Sequence, residues 1–248
     1  MLWDDFARVG APQPGAAVAR VLSLGEASFP AALRTALGQA ALPVEDVPDA
    51  ARLGGWLRDR RPDLLIFAAS ALGPDPEAAC AGLLSPKSPP AILLTDARMA
   101  PPSAPRGTPF AEMLGAGQDA LAYFLMLRAT LRRKRPHAVT DMLSCGDLAL
   151  DQETFTLSLG GRTARLNMLE FCIIGAMLDA PRMVWNKVFL NRVVFGPAGQ
   201  KPGRQFDTCM SRVRRRLRDE MGADPIEAEH RMGYALSPAV LGLRGIAG

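Results

Sequence analysis

Between Gln205 and Asp219 an apolar side chain returns every three or four residues, at Phe206, Met210, Val213 and Leu217. At about 100° per residue these four positions fall in one narrow stripe, so the segment is expected to be a helix with one face packed on a core. The opposite side carries Thr208, Ser211, Arg212 and Arg215, with Arg214 and Arg216 on the flanks. No acid stands between Thr208 and Arg218. The acids that ordinarily pair within an exposed cationic helix are therefore missing from this stretch.

The surrounding sequence supplies a core for that stripe. Asn167 followed by Glu170 has the spacing of a capping box, and Leu166 and Phe171 are placed as a hydrophobic staple across it. A helix is expected from there through Phe171, Ile174 and Leu178, ended by Ala180-Pro181. Asn186, flanked by Trp185 and Leu190, caps a second helix over Lys187 to Phe195, stopped by Gly196. The stretch from Pro197 to Gly203 reads as a loop, and the cationic helix follows it. Upstream, Leu148 to Leu150, Phe155 to Leu159 and Thr163 to Leu166 read as short strands, with Gly160-Gly161 as a tight connector.

The first half of the chain has a different rhythm. Val21 to Leu24, a strand starting at Val44, Leu64 to Phe67, Ala91 to Leu94 and a weaker run at Ala111 to Leu114 alternate with helical stretches. Those stretches are Phe29 to Gln39, Asp49 to Asp59, Pro76 to Leu84 and Gln118 to Arg133. Five strand-helix units of this kind make a doubly wound α/β domain. The run Arg132-Arg133-Lys134-Arg135-Pro136 interrupts the pattern and marks the boundary. The expected division is a flexible tail at 1–17, an α/β domain at 18–133, a linker at 134–143, an α+β domain at 144–240 and a second tail at 241–248.

Composition excludes several classes. Cys80, Cys145, Cys172 and Cys209 show no CxxC spacing, which points to a reducing cytoplasm, and the two histidines, His137 and His230, lie far apart. Neither a metal site nor a catalytic triad is expected, and no cofactor. No run approaches the roughly 18 to 20 apolar residues that span a bilayer, so no membrane partner is expected. The formal net charge of +4 is modest, and its placement matters more than its size. Guanidinium groups pair with phosphate oxygens and read guanine through two parallel contacts, while Thr and Ser let the backbone come close.

From Gly146 to Pro238 the sequence resembles the OmpR/PhoB-type winged-helix domain. The matching features are Gly146-Asp147-Leu148, Leu166-Asn167-x-x-Glu170-Phe171, the Pro181 to Gly196 segment, Phe206-Asp207 before the arginines, and Gly233-Tyr234. The resemblance implies a sheet, three helices and a closing hairpin, or wing, with the third helix in the major groove of DNA. By position it implies a groove-facing set of Thr208, Cys209, Ser211, Arg212 and Arg214, to which Arg204 and Arg215 add cationic contacts. In the wing, His230 stands where many members carry arginine, and Arg231 takes a turn position usually given to glycine; either can reach a phosphate. The loop Pro197 to Gln205 corresponds to the family's transactivation loop, which faces RNA polymerase in activators.

The first half resembles the family's receiver domain in layout. Its third strand aligns so that Ala68 takes the place of the phosphorylated aspartate. The acidic pair after the first strand becomes Gly25-Glu26, Thr95 is retained, and Gly115 and Ala116 stand where a lysine is expected. Aspartyl phosphorylation needs nucleophile, metal and lysine together. Asp63 and Asp96 read as strand-edge residues, not substitutes. The resemblance thus implies a pseudo-receiver joined to a winged helix-turn-helix domain: a phosphorylation-independent regulator of promoters and not an enzyme. It would act as a homodimer, with the helix Gln118 to Arg133 (Leu121, Phe124, Leu125, Leu127) as the dimer element. The alternative is an adaptor that contacts RNA polymerase or another regulator through the winged helix without reading DNA.

Overall fold

The computed structural model describes residues 19–85, 87–96 and 109–241. Of the segments read as tails, 1–17 and 241–248, all but residue 241 lie outside the described residues. The chain divides into two compact units, one built, among the described residues, from those within 19–139 together with 196–198 and the other from residues 140–195 and 199–241.

The first unit carries a parallel sheet of β1 (Val21–Leu24), β2 (Val44–Asp46), β3 (Leu64–Ala68), β4 (Ala91–Thr95) and β5 (Glu112–Gly115), in the order β2-β1-β3-β4-β5. Every residue of β1, β3, β4 and β5 is buried, as expected of parallel strands covered on both faces. The connecting helices are α1 (Ala31–Gln39), α2 (Leu53–Arg60), α3 (Ala69–Leu72), α4 (Pro76–Leu83) and α5 (Ala120–Lys134). Two of them start at aspartate caps: Asp75 accepts from the Ala78 amide and Asp119 from the Ala122 amide. The single turn of α3, directly after β3, is absent from the sequence reading because four residues carry no periodicity.

Of the four side chains read as a dimer element on α5, Phe124 is 7% exposed, Leu125 2% and Leu127 0%, while Leu121 is half-buried. A helix whose apolar residues occupy most of its circumference is largely a buried one.

The second unit opens on an antiparallel sheet of β6 (Met142–Cys145), β7 (Leu148–Asp151), β8 (Thr156–Leu159) and β9 (Arg162–Arg165). β6 begins inside the segment read as linker. Gly160 and Gly161 both take positive φ, +56° and +82°, which a two-residue turn of matching twist requires. Then come α6 (Met168–Asp179), the short β10 (Trp185–Asn186), α7 (Lys187–Phe195), α8 (Gly203–Met221) and a hairpin of β11 (Ile226–Glu229) and β12 (Gly233–Leu236). β12 sits between β10 and β11. At Gly233 a Cβ would lie 1.9 Å from the Trp185 carbonyl oxygen, so only glycine lets β12 approach β10 this closely. No helix among the described residues is long and apolar enough to cross a membrane.

Candidate nucleic-acid interface

The helical core forms as its caps dictate. Asn167 accepts from the Glu170 amide and Glu170 accepts from the Asn167 amide, both bonds of the capping box. Asn186 accepts from the Val188 amide and starts α7, while Gly196, φ +74°, ends it. Asn191, 8% exposed, both donates to the Lys201 carbonyl (2.7 Å) and accepts from the Lys201 amide (3.0 Å). That pair fixes the chain entering α8. Phe195 and Tyr234 meet Phe206 edge-on from either side, at 6.3 Å and 6.0 Å between centroids.

α8 starts two residues before the helix read from sequence and ends two after it. Residues 203–205, part of the segment matched to the transactivation loop, are therefore helical. Gly203 is a poor helix former, and Pro202 with φ −53° leads the chain directly into the first turn. The predicted apolar stripe is the buried one: Phe206, Met210, Val213 and Leu217 are at most 4% exposed, and Met221 extends it.

The polar surface of α8 resolves into three strips. On the side toward the hairpin, Asp207 accepts from Lys187 of α7 and from the Tyr234 hydroxyl of β12 (2.9 Å). The hydrogen bond from Lys187 holds the Asp207 carboxyl below the usual carboxylate range, and Tyr234 adds to the effect. On the same strip Arg214 and Arg218 share Asp224, each at 3.0 Å. On the side toward α6, Arg216 pairs with Glu170 and with Glu220, and also donates to the Arg165 carbonyl. Glu170, only 2% exposed, thus completes the cap of α6 and anchors α8.

Between the flanks lies the outer strip: Arg204, Thr208, Ser211, Arg212 and Arg215, all exposed. Arg204, Arg212 and Arg215 have no carboxylate partner among the described residues. Thr208 returns its hydroxyl to the Arg204 carbonyl (2.9 Å). Cys209 lies at the edge of this strip, half-buried; burial pushes its thiol up, against the pull of Lys201 and Arg212, so it stays protonated at neutral pH. Arg212 and Arg215 also line an open groove of about 780 Å3 between α8 and the start of α6.

The groove-facing set implied by the resemblance is therefore brought together with one exception. Arg214 belongs to the hairpin-side strip, where Asp224 neutralises it; its side chain is only 24% exposed. No local pattern signals this, because Asp224 lies ten residues away, past the end of the helix. In the hairpin, His230 and Arg231 are exposed at the tip, and Arg231 has φ +61°, the left-handed conformation anticipated for a glycine position. The Met232 amide donates to the Glu229 carbonyl and closes that turn.

In the first unit, Ala68 ends β3 and is 2% exposed. A Cβ at Gly25 would lie 2.7 Å from that of Ala71 and 3.1 Å from that of Ala68, so methyl groups fill the crevice where β1 and β3 end. Thr95 is buried and donates to the Leu114 carbonyl (3.3 Å). Asp63 sits at the opposite, amino-terminal end of β3, accepting from the Arg20 amide.

No protein-family model matches the chain. It is 31% identical over 110 residues to the phosphate regulon transcriptional regulatory protein PhoB of Rhizobium meliloti, covering 44% of this chain and about half (48%) of that protein. It is 26% identical over 193 residues to the transcriptional regulatory protein AfsQ1 of Streptomyces coelicolor, covering 73% of this chain and 81% of that one. Among solved structures, the Thermotoga maritima response regulator DrrB, an OmpR/PhoB homologue, aligns over 89% of this chain and 99% of its own at 16% identity and a TM-score of 0.33. The Klebsiella pneumoniae RstA DNA-binding domain in complex with the RstA box aligns over 39% of this chain and 97% of its own at 22% identity and a TM-score of 0.34. The chain, with its 2-1-3-4-5 parallel sheet and its three-helix unit closed by a hairpin, is thus a homologue of transcriptional regulatory proteins of the PhoB and AfsQ1 kind.

Proposed function

We propose that this chain is a promoter-binding transcriptional regulator whose α8 enters the major groove of double-stranded DNA, acting without aspartyl phosphorylation. The observation that carries the reading is the outer strip of α8, where Arg204, Arg212 and Arg215 are exposed and lack carboxylates while both flanks are ion-paired. Phosphates outside the groove and base edges inside it are the partners that uncommitted guanidinium groups take. Thr208 and Ser211 between them are small enough to let the helix backbone approach. His230 and Arg231 at the hairpin tip are placed to meet the flanking backbone, and Cys209 lies at the edge of the contact.

Phosphorylation independence rests on the crevice of the first unit, where Ala68 offers no nucleophile and the side chains nearest Gly25 are the methyl groups of Ala68 and Ala71. Binding as a homodimer to half-sites about one helical turn apart would multiply the affinity of a single domain. The loop before α8, pinned through Asn191, is the segment offered to RNA polymerase.

The test is a titration of the intact chain against footprinted promoter fragments at several salt concentrations. The logarithm of the association constant should fall steeply with the logarithm of salt. Arg212→Ala should weaken specific binding by about 1 to 3 kcal/mol. Absence of duplex binding at low salt would remove the reading and favour an adaptor that contacts polymerase without DNA.

A further inference from the structure

The described part of the first unit holds a cavity of about 770 Å3 at the amino-terminal edge of its sheet, the edge opposite Ala68 and Thr95. It opens where β4 and β5 begin and where α5 ends, as parallel strands with antiparallel crossover helices require. Lys87, Lys134 and Arg135 line it, together with Ser88, and no carboxylate is among its described lining residues. Its apolar walls include Pro109 and Phe110, the latter 6% exposed. The three cations make no ion pair with any described residue.

We propose that this cavity binds a small organic anion, two or more negative charges carried on a flat apolar body. The volume falls within the roughly 300 to 1,000 Å3 of small-molecule sites, and apolar walls with a few convergent polar groups are their usual lining. Charge decides the class. The carboxyl end of α5 contributes about half a negative charge, which disfavours an anion, but three full cations outweigh it. Among the described lining residues the charged groups, Lys134 and Arg135 at the end of α5 and Lys87 in the α4–β4 loop, are of one sign.

The site also fits what the opposite edge lacks. Ligands of open α/β sheets ordinarily bind at the carboxyl ends of the strands. Here that crevice is packed with methyl groups, so a ligand-responsive first unit needs another opening. Arg135 is the last residue before the turn Pro136–Ala138, through which the chain leaves the unit. An anion held there grips the start of that exit. The inference stands apart from DNA binding by α8.

The experiment is calorimetric titration and thermal shift of the intact chain with three probes. Adenosine monophosphate has charge and a flat body, pyrophosphate has charge alone, and adenosine has the body alone. Saturable binding is expected for the monophosphate, at least tenfold tighter than for either of the others, with a matching rise in midpoint. Lys87→Glu/Lys134→Glu should lose at least tenfold of that affinity while keeping the unliganded midpoint within a few degrees. Arg212→Ala, on α8, should bind the probe as the wild type does. No saturable binding, equal binding of adenosine or pyrophosphate, or undiminished binding by the double variant would overturn the proposal. Loss in Arg212→Ala would place the probe on α8 instead and overturn it equally.

Discussion

The carboxyl edge of the first sheet and the outer strip of α8 are the two places where a protein of this architecture would do its chemistry, and they differ in what they keep. At the sheet edge stand Gly25, Ala68, Gly115 and Ala116, and a Cβ at Gly25 would meet the methyl groups of Ala71 and Ala68. On α8 the exposed cations are kept and both flanks are braced with ion pairs. Both units thus keep an intact scaffold, while the carboxyl edge of the first sheet holds small side chains and the outer strip of α8 holds charged ones. Backbone topology follows from burial patterns, and function follows from the side chains left over.

The largest effect that would break this contrast is expected on the outer strip. Arg212→Ala combined with Arg215→Ala should lower specific DNA affinity by about 2 to 5 kcal/mol and flatten the salt dependence, read by fluorescence anisotropy. A double variant that binds as tightly as the wild type would mean that the strip is merely solvated.

Next in size is the brace on the α6 side. Glu170→Ala removes a cap and strands Arg216 against a buried site, and it should cost about 2 to 4 kcal/mol of stability, measured by urea unfolding of the second unit's Trp185 signal. Arg214→Ala should cost about 1 kcal/mol of stability and leave DNA affinity within about twofold, the reverse of Arg212→Ala. If Arg214→Ala instead lost affinity with an unchanged midpoint, Arg214 would return to the groove-facing set.

A smaller, pH-dependent effect is expected at Asp207. Its folded carboxyl is held below its unfolded value, so its contribution is fully present above about pH 4 and is lost as pH falls through the folded value. The stability difference between wild type and Asp207→Asn should therefore be present at neutral pH and shrink on acidification below about pH 4. Because the side chain is well exposed, the amplitude is small. Smallest of all is a null result: incubation with a small phosphodonor and magnesium should leave the intact mass unchanged, and Ala68→Asp should not restore uptake, because no lysine stands at 115 or 116. A stable added phosphoryl group would erase the difference between the two regions.

What was legible in the sequence was whatever is local. The stripe on α8, the Asn167-Glu170 box, the Asn186 cap and the Gly160-Gly161 turn each encode their geometry within a few residues. The strand runs of the first unit were legible for the same reason. What escaped depends on distant partners or on very short elements. Arg216 is paired across 46 residues with Glu170, and no helical-wheel argument reveals that. β6 was hidden beneath the basic run and proline that mark the boundary, and the burial of α5 could not be separated from an interaction face by periodicity alone.

Asp224 is a control point for the charge of α8. It restrains two guanidinium groups, those of Arg214 and Arg218, from outside the helix that carries them. A single Asp224→Asn substitution would release both, adding mobile positive charge beside the outer strip without touching any groove-facing residue. Attraction to any duplex would then rise, while discrimination between operators, which depends on base edges, would gain nothing. On the proposed function, this single side chain beyond the end of α8 sets how much of the helix's charge is spent on holding its own domain together and how much is left for DNA.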